Sequence, residues 1–137
     1  MIFDNNFMTA YKNQWNETKD VHEPLASINF ESNIGYGFIG EKEPKAVLVV
    51  KKGLVEEARE YKGEPLNWDL RMTEKNWQYY FENGIGGLLG LGKCFTFVWI
   101  KFVHGDYFKM ISTPQMIGPF LKTFDILGNL YKTTEKK

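Results

Sequence analysis

At 137 residues the chain is long enough for one domain with its own hydrophobic core and too short for two of ordinary size. An apolar content of 43% excludes intrinsic disorder, and 17 basic against 17 acidic side chains give no electrostatic reason to expect nucleic acid or an anionic membrane as the main partner. A single cysteine, Cys94, excludes an internal disulfide and a cysteine-based zinc site.

Residues 4–18 predict an amphipathic helix. Asp4 stands at its N-cap, Phe3 is placed to staple onto the first turn, and Phe7, Tyr11 and Trp15 recur every four residues. The opening "MIFDNNFMTAYK" lacks the basic start and apolar run of a signal peptide, so a cytoplasmic location is expected. The sequon Asn16-Glu17-Thr18 is discounted for the same reason. In "KDVHEP", Pro24 is expected to end any helix.

The period then changes to two. Ile28 and Phe30, then Ile34, Tyr36 and Phe38, alternate with polar residues or glycine, which predicts strands with a bend or bulge at the glycines. "KAVLVV" is a β-branched run for a buried strand, and "KKG" turns the chain at Gly53. "LVEEAREY" has helical composition, but the short turn before it favours a hairpin strand with Val55, Glu57, Arg59 and Tyr61 on one face. In "LNWDLRM", Leu66, Trp68 and Leu70 alternate with Asn67, Asp69 and Arg71.

Thr73 reads as the cap of a helix over 74–83, with Trp77, Tyr80 and Phe81 on one face and Asn83-Gly84 as its stop. Further on, "WIKFVHGD" predicts a short strand ending at Gly105-Asp106. Thr113-Pro114 starts a closing helix, which Gly118-Pro119 is expected to kink or interrupt. The expected organisation is one domain over 1–137. It comprises an N-terminal helix (1–20), strands (25–72), a helical segment (73–92), a strand (99–106), C-terminal helices (107–130) and a frayed polar tail (131–137).

The stretch "GGLLGLGKC" is a near-match to a phosphate-binding loop, since Gly87, Gly92 and Lys93 fit G-x-x-x-x-G-K. Cys94 replaces the magnesium-binding hydroxyl, and the element before the stretch reads as a helix rather than a strand. A membrane-spanning reading fails on Lys93, which would sit near the bilayer centre. What remains is packing. Glycine costs about 0.5–1 kcal/mol in a helix interior, so this apolar segment is loosely held. It serves either as a tight helix crossing or as the movable wall of a cavity.

From about Ile28 to Leu127 the order of features resembles the sterol carrier domain, the lipid-transfer module known as type two. "LNWDLRMTEKNWQYYFENG" resembles that family's alternating strand and its Thr/Ser-capped helix ending in glycine. "WIKFVHGDYFKM" resembles its strand ending in Gly-Asp before a closing helix, and "PKAVLVVKKG" with "LVEEAREY" its central antiparallel strands. The resemblance implies an α+β fold, with a five-stranded, mainly antiparallel sheet and helices packed on one face. It implies an apolar tunnel for a fatty acyl chain, a sterol or an isoprenoid, with no catalytic residue, cofactor or metal. The expected wall residues are Trp77, Phe81, Leu88, Leu89, Phe95, Val98, Phe102, Phe120 and Phe124, each of which serves equally well as ordinary core. The expected partner is an apolar small molecule, with transient membrane contact and no nucleic acid.

His104, Asp106 and Tyr107 form the one local cluster with catalytic residue types, and Asp106 is better read as a helix cap. Cys94 and His104 lack a third group to complete a nucleophilic site. Two alternatives stay open. One is a small α+β enzyme of the ketosteroid-isomerase kind, with a carboxylate and a tyrosine in an apolar pocket. The other is a module whose aromatic face buries against a second copy, forming a homodimer.

Overall fold

The computed structural model describes residues 1–135. Five strands form one sheet in the order β3-β2-β1-β4-β5: β1 (Ser32–Phe38), β2 (Ala46–Lys51), β3 (Leu54–Glu60), β4 (Trp68–Met72) and β5 (Lys101–His104). The β1–β4 pair is parallel and the others are antiparallel. The helices are α1 (Asn5–Glu17), α2 (Lys19–Ser27), α3 (Glu74–Asn83), α4 (Gly87–Thr96), α5 (Tyr107–Ser112) and α6 (Pro114–Thr134). The architecture is α+β as expected, with the helices covering the sheet face that carries Ile34, Tyr36, Leu48 and Leu70.

The local signals hold at α1 and α3. The Asp4 carboxylate accepts the Phe7 N–H at 2.9 Å, and the Thr73 hydroxyl accepts the Asn76 N–H at 3.1 Å. Phe7, Tyr11 and Trp15 are buried, and the Phe3 ring meets Phe7 edge-on at 5.8 Å. Helix α1 also shields the edge strand β3, whose outward backbone groups would otherwise lie open. Asn16 exchanges two hydrogen bonds with Val55, Asn5 accepts the Glu60 N–H, and the Lys12 ammonium reaches the Glu56 carbonyl. The amide of the discounted sequon is thus occupied by this edge.

Several expectations are corrected. Pro24 does not end the helical region but sits inside α2, so residues 25–27 are helical rather than strand. The missing N–H sacrifices one backbone bond, while Val21 and Leu25 bury fully and α2 packs along α6. Ile28 and Phe30 lie in the turn after α2, with Asn29 at φ 57°, and β1 starts at Ser32. Strand β1 runs in unbroken register with β2 and carries no bulge. Its glycines serve close packing instead: a Cβ on Gly37 would lie 2.7 Å from the Pro44 Cα. The bulge lies between β2 and β3, where Val50 pairs with Val55 but Val49 pairs with Glu57. That extra residue places Val55 on the helix-covered face and Glu57 and Arg59 on the other. Leu66 also faces away from Trp68, since a Cβ on Gly35 would touch it at 3.0 Å.

Downstream, the helical segment 73–92 is two helices. The break spans residues 84–86, and the second helix runs on to Thr96. The strand expected over 99–106 is confined to Lys101–His104. Pro119 does not interrupt α6, which is continuous over 21 residues. Six of the eight residues from Phe124 to Tyr131 are buried apolar or glycine positions, and that face holds the helix together across the proline. The tail is not frayed to Glu135: Tyr131 packs on Phe81 with ring centroids 5.8 Å apart, and Glu135 pairs with the Met1 ammonium at 2.8 Å. Residues 136–137 of that expected tail lie outside the described residues.

The opposite sheet face holds a buried ion pair. The Arg71 guanidinium meets Asp69 through two bonds, of 2.6 and 3.0 Å, and donates to the carbonyls of Phe38 and Glu41. Both side chains are 4% exposed. The pair therefore ties β4 to the loop after β1. Replacing Arg71 by Met strands a buried carboxylate and is expected to cost about 3–5 kcal/mol in urea unfolding. Pairing it with Asp69→Leu is expected to recover most of that loss; a double variant as unstable as the single would contradict this account.

Candidate functional site

The sheet's covered face is closed unevenly. Over β1–β3, α1 and the N-terminal residues fill it with aromatic rings. Phe3 lies at the centre, 5.2 Å from Trp77 and 5.5 Å from Tyr36. Each polar tip in this cluster is partnered, as a dry interior requires. The Trp15 indole donates to the Gly53 carbonyl and the Trp77 indole to the Gly37 carbonyl, while the Tyr11 and Tyr36 hydroxyls meet at 2.8 Å. Over β1 and β4, beneath α6, the filling is incomplete.

An apolar cavity lies there. Ile34 and Tyr36 of β1 and Trp68 and Leu70 of β4 form its floor, and Pro119, Phe120 and Thr123 of α6 form its roof. Trp15, Leu25 and Met110 close its sides. In the conformation seen its volume is about 40 Å³. That is room for about three small groups. No carboxylate lines it among the described residues, and the Thr123 hydroxyl is spent on the Phe120 carbonyl. A wider recess adjoins it, where Ser32, Asn67, Asp106 and Lys109 stand among apolar side chains that include Ile28 and Phe30. Phe30, Trp68 and Met116 line both spaces and lie between them.

The nine residues expected as walls divide into three groups. Phe120 lines the cavity. Phe102 stacks on Phe120 at 6.1 Å, Phe124 lies 5.5 Å from Phe120, and Trp77 and Phe81 continue into the closed aromatic core. Phe95 stacks on Tyr107 with centroids 3.7 Å apart, while Leu88, Leu89 and Val98 are exposed and outside the lining. Of the residues shared by the two spaces, Trp68 carried a visible signal in its strand alternation, and Met116 falls in the closing helix expected after Thr113-Pro114. Nothing local places those two elements opposite each other.

None of the chemistry-bearing candidates Cys94, His104, Asp106 and Tyr107 lines the apolar cavity. The Asp106 carboxylate accepts the Lys109 N–H at 2.9 Å and caps α5, while His104 is exposed. Burial pushes the Cys94 thiol up, against the opposing pull of a bond with Tyr80, so it is poorly nucleophilic at neutral pH. The glycines 87 and 92 belong to α4, which follows a helix and holds Gly92 and Lys93 in its interior. Gly90 lets the chain entering α4 pass close by, since a Cβ there would clash with the carbonyl oxygen of Ile85, just before the helix. Among the described residues no group of three or more His, Cys, Asp or Glu side chains is placed to hold a metal, and no helix is long and apolar enough to cross a membrane.

Burial also holds the Tyr11 and Tyr36 hydroxyls above the ordinary phenol range, and for Tyr11 the neighbouring Tyr36 adds to the rise. Both stay protonated in the folded chain above pH 10, where unfolded tyrosine ionises. The folded state then holds more protons than the unfolded one, so stability is intact below about pH 10 and falls as pH rises beyond it. The expected slope is about 1.4 kcal/mol per pH unit for each tyrosine. Urea titrations at several alkaline pH values should show the slope reduced in Tyr11→Phe/Tyr36→Phe; an unchanged slope would assign it to other groups.

No protein-family model and no curated protein matches the chain. Solved structures do. The crystal structure of sterol carrier protein 2 matches with a TM-score of 0.68 at 17% identity, covering 90% of this chain and 97% of that one. The solution structure of a conserved hypothetical protein from Thermus thermophilus, with a suggested sterol-carrier assignment, matches with a TM-score of 0.64 at 14% identity. It covers 100% of this chain and 94% of that one. The chain therefore has the sterol-carrier fold.

Proposed function

We propose that this chain, with its sterol-carrier fold, binds the apolar chain of a lipid between the sheet and α6, without catalysing a reaction on it. The observation that carries the reading is the cavity beneath Phe120, apolar on nearly every side and separated only by Phe30, Trp68 and Met116 from a wider recess that also carries polar side chains. A ligand with a long apolar chain and a polar end matches that sequence of environments.

The energetics are adequate. Each buried methylene contributes about 0.8 kcal/mol, so even a few offset part of the cost of immobilising the ligand. The cavity as seen is too small for a whole acyl chain, so binding widens it. Phe120 is flanked by the rings of Phe102 and Phe124, and movement of these rings is the proposed route. Phe95 of α4 rests against Phe102 at 5.9 Å and yields with them, because only Leu91 and Cys94 of α4 are buried. Trp77 and Phe81 form the rigid back of the site.

Organic extracts of the purified protein, analysed by mass spectrometry, are expected to contain lipid at close to one molecule per chain. Met116→Trp adds bulk between the two spaces at a half-buried position that tolerates it. It is expected to weaken displacement of a fluorescent fatty-acid probe by about tenfold or more. Extracts without lipid, together with a probe that neither binds nor shifts Trp68 emission, would end this reading.

A further inference from the structure

Most of the exposed large apolar side chains among the described residues lie between residues 88 and 108. Leu89 is 91% exposed, Phe108 67%, Phe97 59% and Val98 57%, with Leu88 and Trp99 beside them. Leu89, Lys93 and Phe97 follow at four-residue intervals along the outward side of α4 and its C-cap, opposite the buried Leu91 and Cys94. The Phe97 and Trp99 rings stack on each other at 5.2 Å and remain in solvent. Phe108 joins this surface through Phe95, 5.6 Å away. An exposed apolar cluster of this kind marks a contact surface.

Charge selects the occupant. The whole chain is neutral, but residues 84–105 contain Lys93 and Lys101 and no aspartate or glutamate. Lys93 on α4 is exposed, as is Lys109 on α5, while Lys101 pairs with Arg71 across β4–β5 and so lies on the sheet face away from the helices. The nearest acid in sequence beyond that run, Asp106, accepts the Lys109 N–H and keeps its charge, so the two lysines outnumber it. Apolar and aromatic side chains rimmed by lysine fit a bilayer interface with anionic headgroups, where an indole sits at headgroup depth and each lysine adds attraction. The apposed surface of a second copy would bring like charges together.

We propose that the surface formed by α4, the turn after it and α5 docks the protein on an anionic lipid bilayer. The rings of Phe108, Phe95, Phe102 and Phe120 form a continuous seam from this surface to the cavity roof, with successive centroids 5.6, 5.9 and 6.1 Å apart. Docking therefore puts membrane lipid at the outer end of a seam whose inner end is the proposed site. The inference extends the lipid-binding reading but is tested apart from it, because vesicle binding reads the surface and lipid extraction reads the cavity.

The test is flotation with vesicles of phosphatidylcholine alone and of phosphatidylcholine with phosphatidylglycerol. Binding is expected to the anionic vesicles, to weaken with added salt, and to be far weaker on the neutral ones. Leu89→Ser/Phe97→Ser is expected to lower vesicle affinity by about tenfold or more. Lys93→Gln/Lys109→Gln should lose about tenfold on anionic vesicles only. All four positions are exposed, and circular dichroism confirms that each variant is folded. Leu54→Ser, at an exposed apolar residue on β3, should leave binding unchanged. Equal binding to both vesicle types, or none to either, overturns the proposal. So does a wild-type dimer by light scattering that becomes monomeric in Leu89→Ser/Phe97→Ser, which would assign the surface to a second copy.

Discussion

The structure depends on an aromatic interior in which every polar tip has a partner. Trp15, Trp77, Tyr11 and Tyr36 bring two indole N–H groups and two hydroxyls into a region without water. An unpaired group there would cost about 1–3 kcal/mol. Each indole reaches a main-chain carbonyl across the core, at Gly53 and Gly37, and the hydroxyls satisfy each other. These bonds fix where α1 and α3 lie on the sheet. Trp15 ties α1 to the β2–β3 turn, and Trp77 ties α3 to β1. The rings between them, with Phe3 at the centre, leave no room for anything else.

That closure ends partway across the sheet. No comparable anchor holds the helices over β4 and β5. Helix α4 buries only Leu91 and Cys94, has no side-chain cap at its start, and carries three glycines within its ten residues. Helix α6 bridges the gap with a proline and a phenylalanine rather than with a dense stripe. The cavity beneath Phe120 and the exposed rings of α4 and α5 are two outcomes of the same shortfall in packing. One is a space the side chains do not fill, and the other is apolar surface the fold does not cover. A lipid chain and a lipid surface are the complements of those two features.

Neutral overall charge hides this. Balanced totals of lysine, arginine and acid argue against an anionic partner only when the charges are evenly spread. Here the most apolar stretch of the chain carries lysine alone, and the acids lie elsewhere. Local charge beside exposed apolar area, rather than the sum, governs attraction to a bilayer. The strained φ of 56° at Val98, a β-branched residue, holds the turn that presents Phe97 and Trp99 together.

What the sequence determined by itself is local. Period-two alternation, β-branched runs, the caps Asp4, Thr73 and Asp106, and the four-residue aromatic repeat of α1 place most of the elements, because each signal acts over a few residues. The motif order made the sterol-carrier likeness legible without a partner structure. Tertiary packing decided the rest. It carried helices through Pro24 and Pro119, because the burial of Val21 and Leu25 in α2 and of the run from Phe124 to Tyr131 in α6 outweighs one lost backbone bond. It moved a face of β3 with a bulge no local signal marks. It also decided which aromatics are solid core and which border the cavity. Trp77, Phe81, Phe102 and Phe120 look alike in a sequence, since a cavity wall and a core use the same residue types. Only the distance between β4 and α6 separates them, and that distance is set by contacts between residues some fifty positions apart.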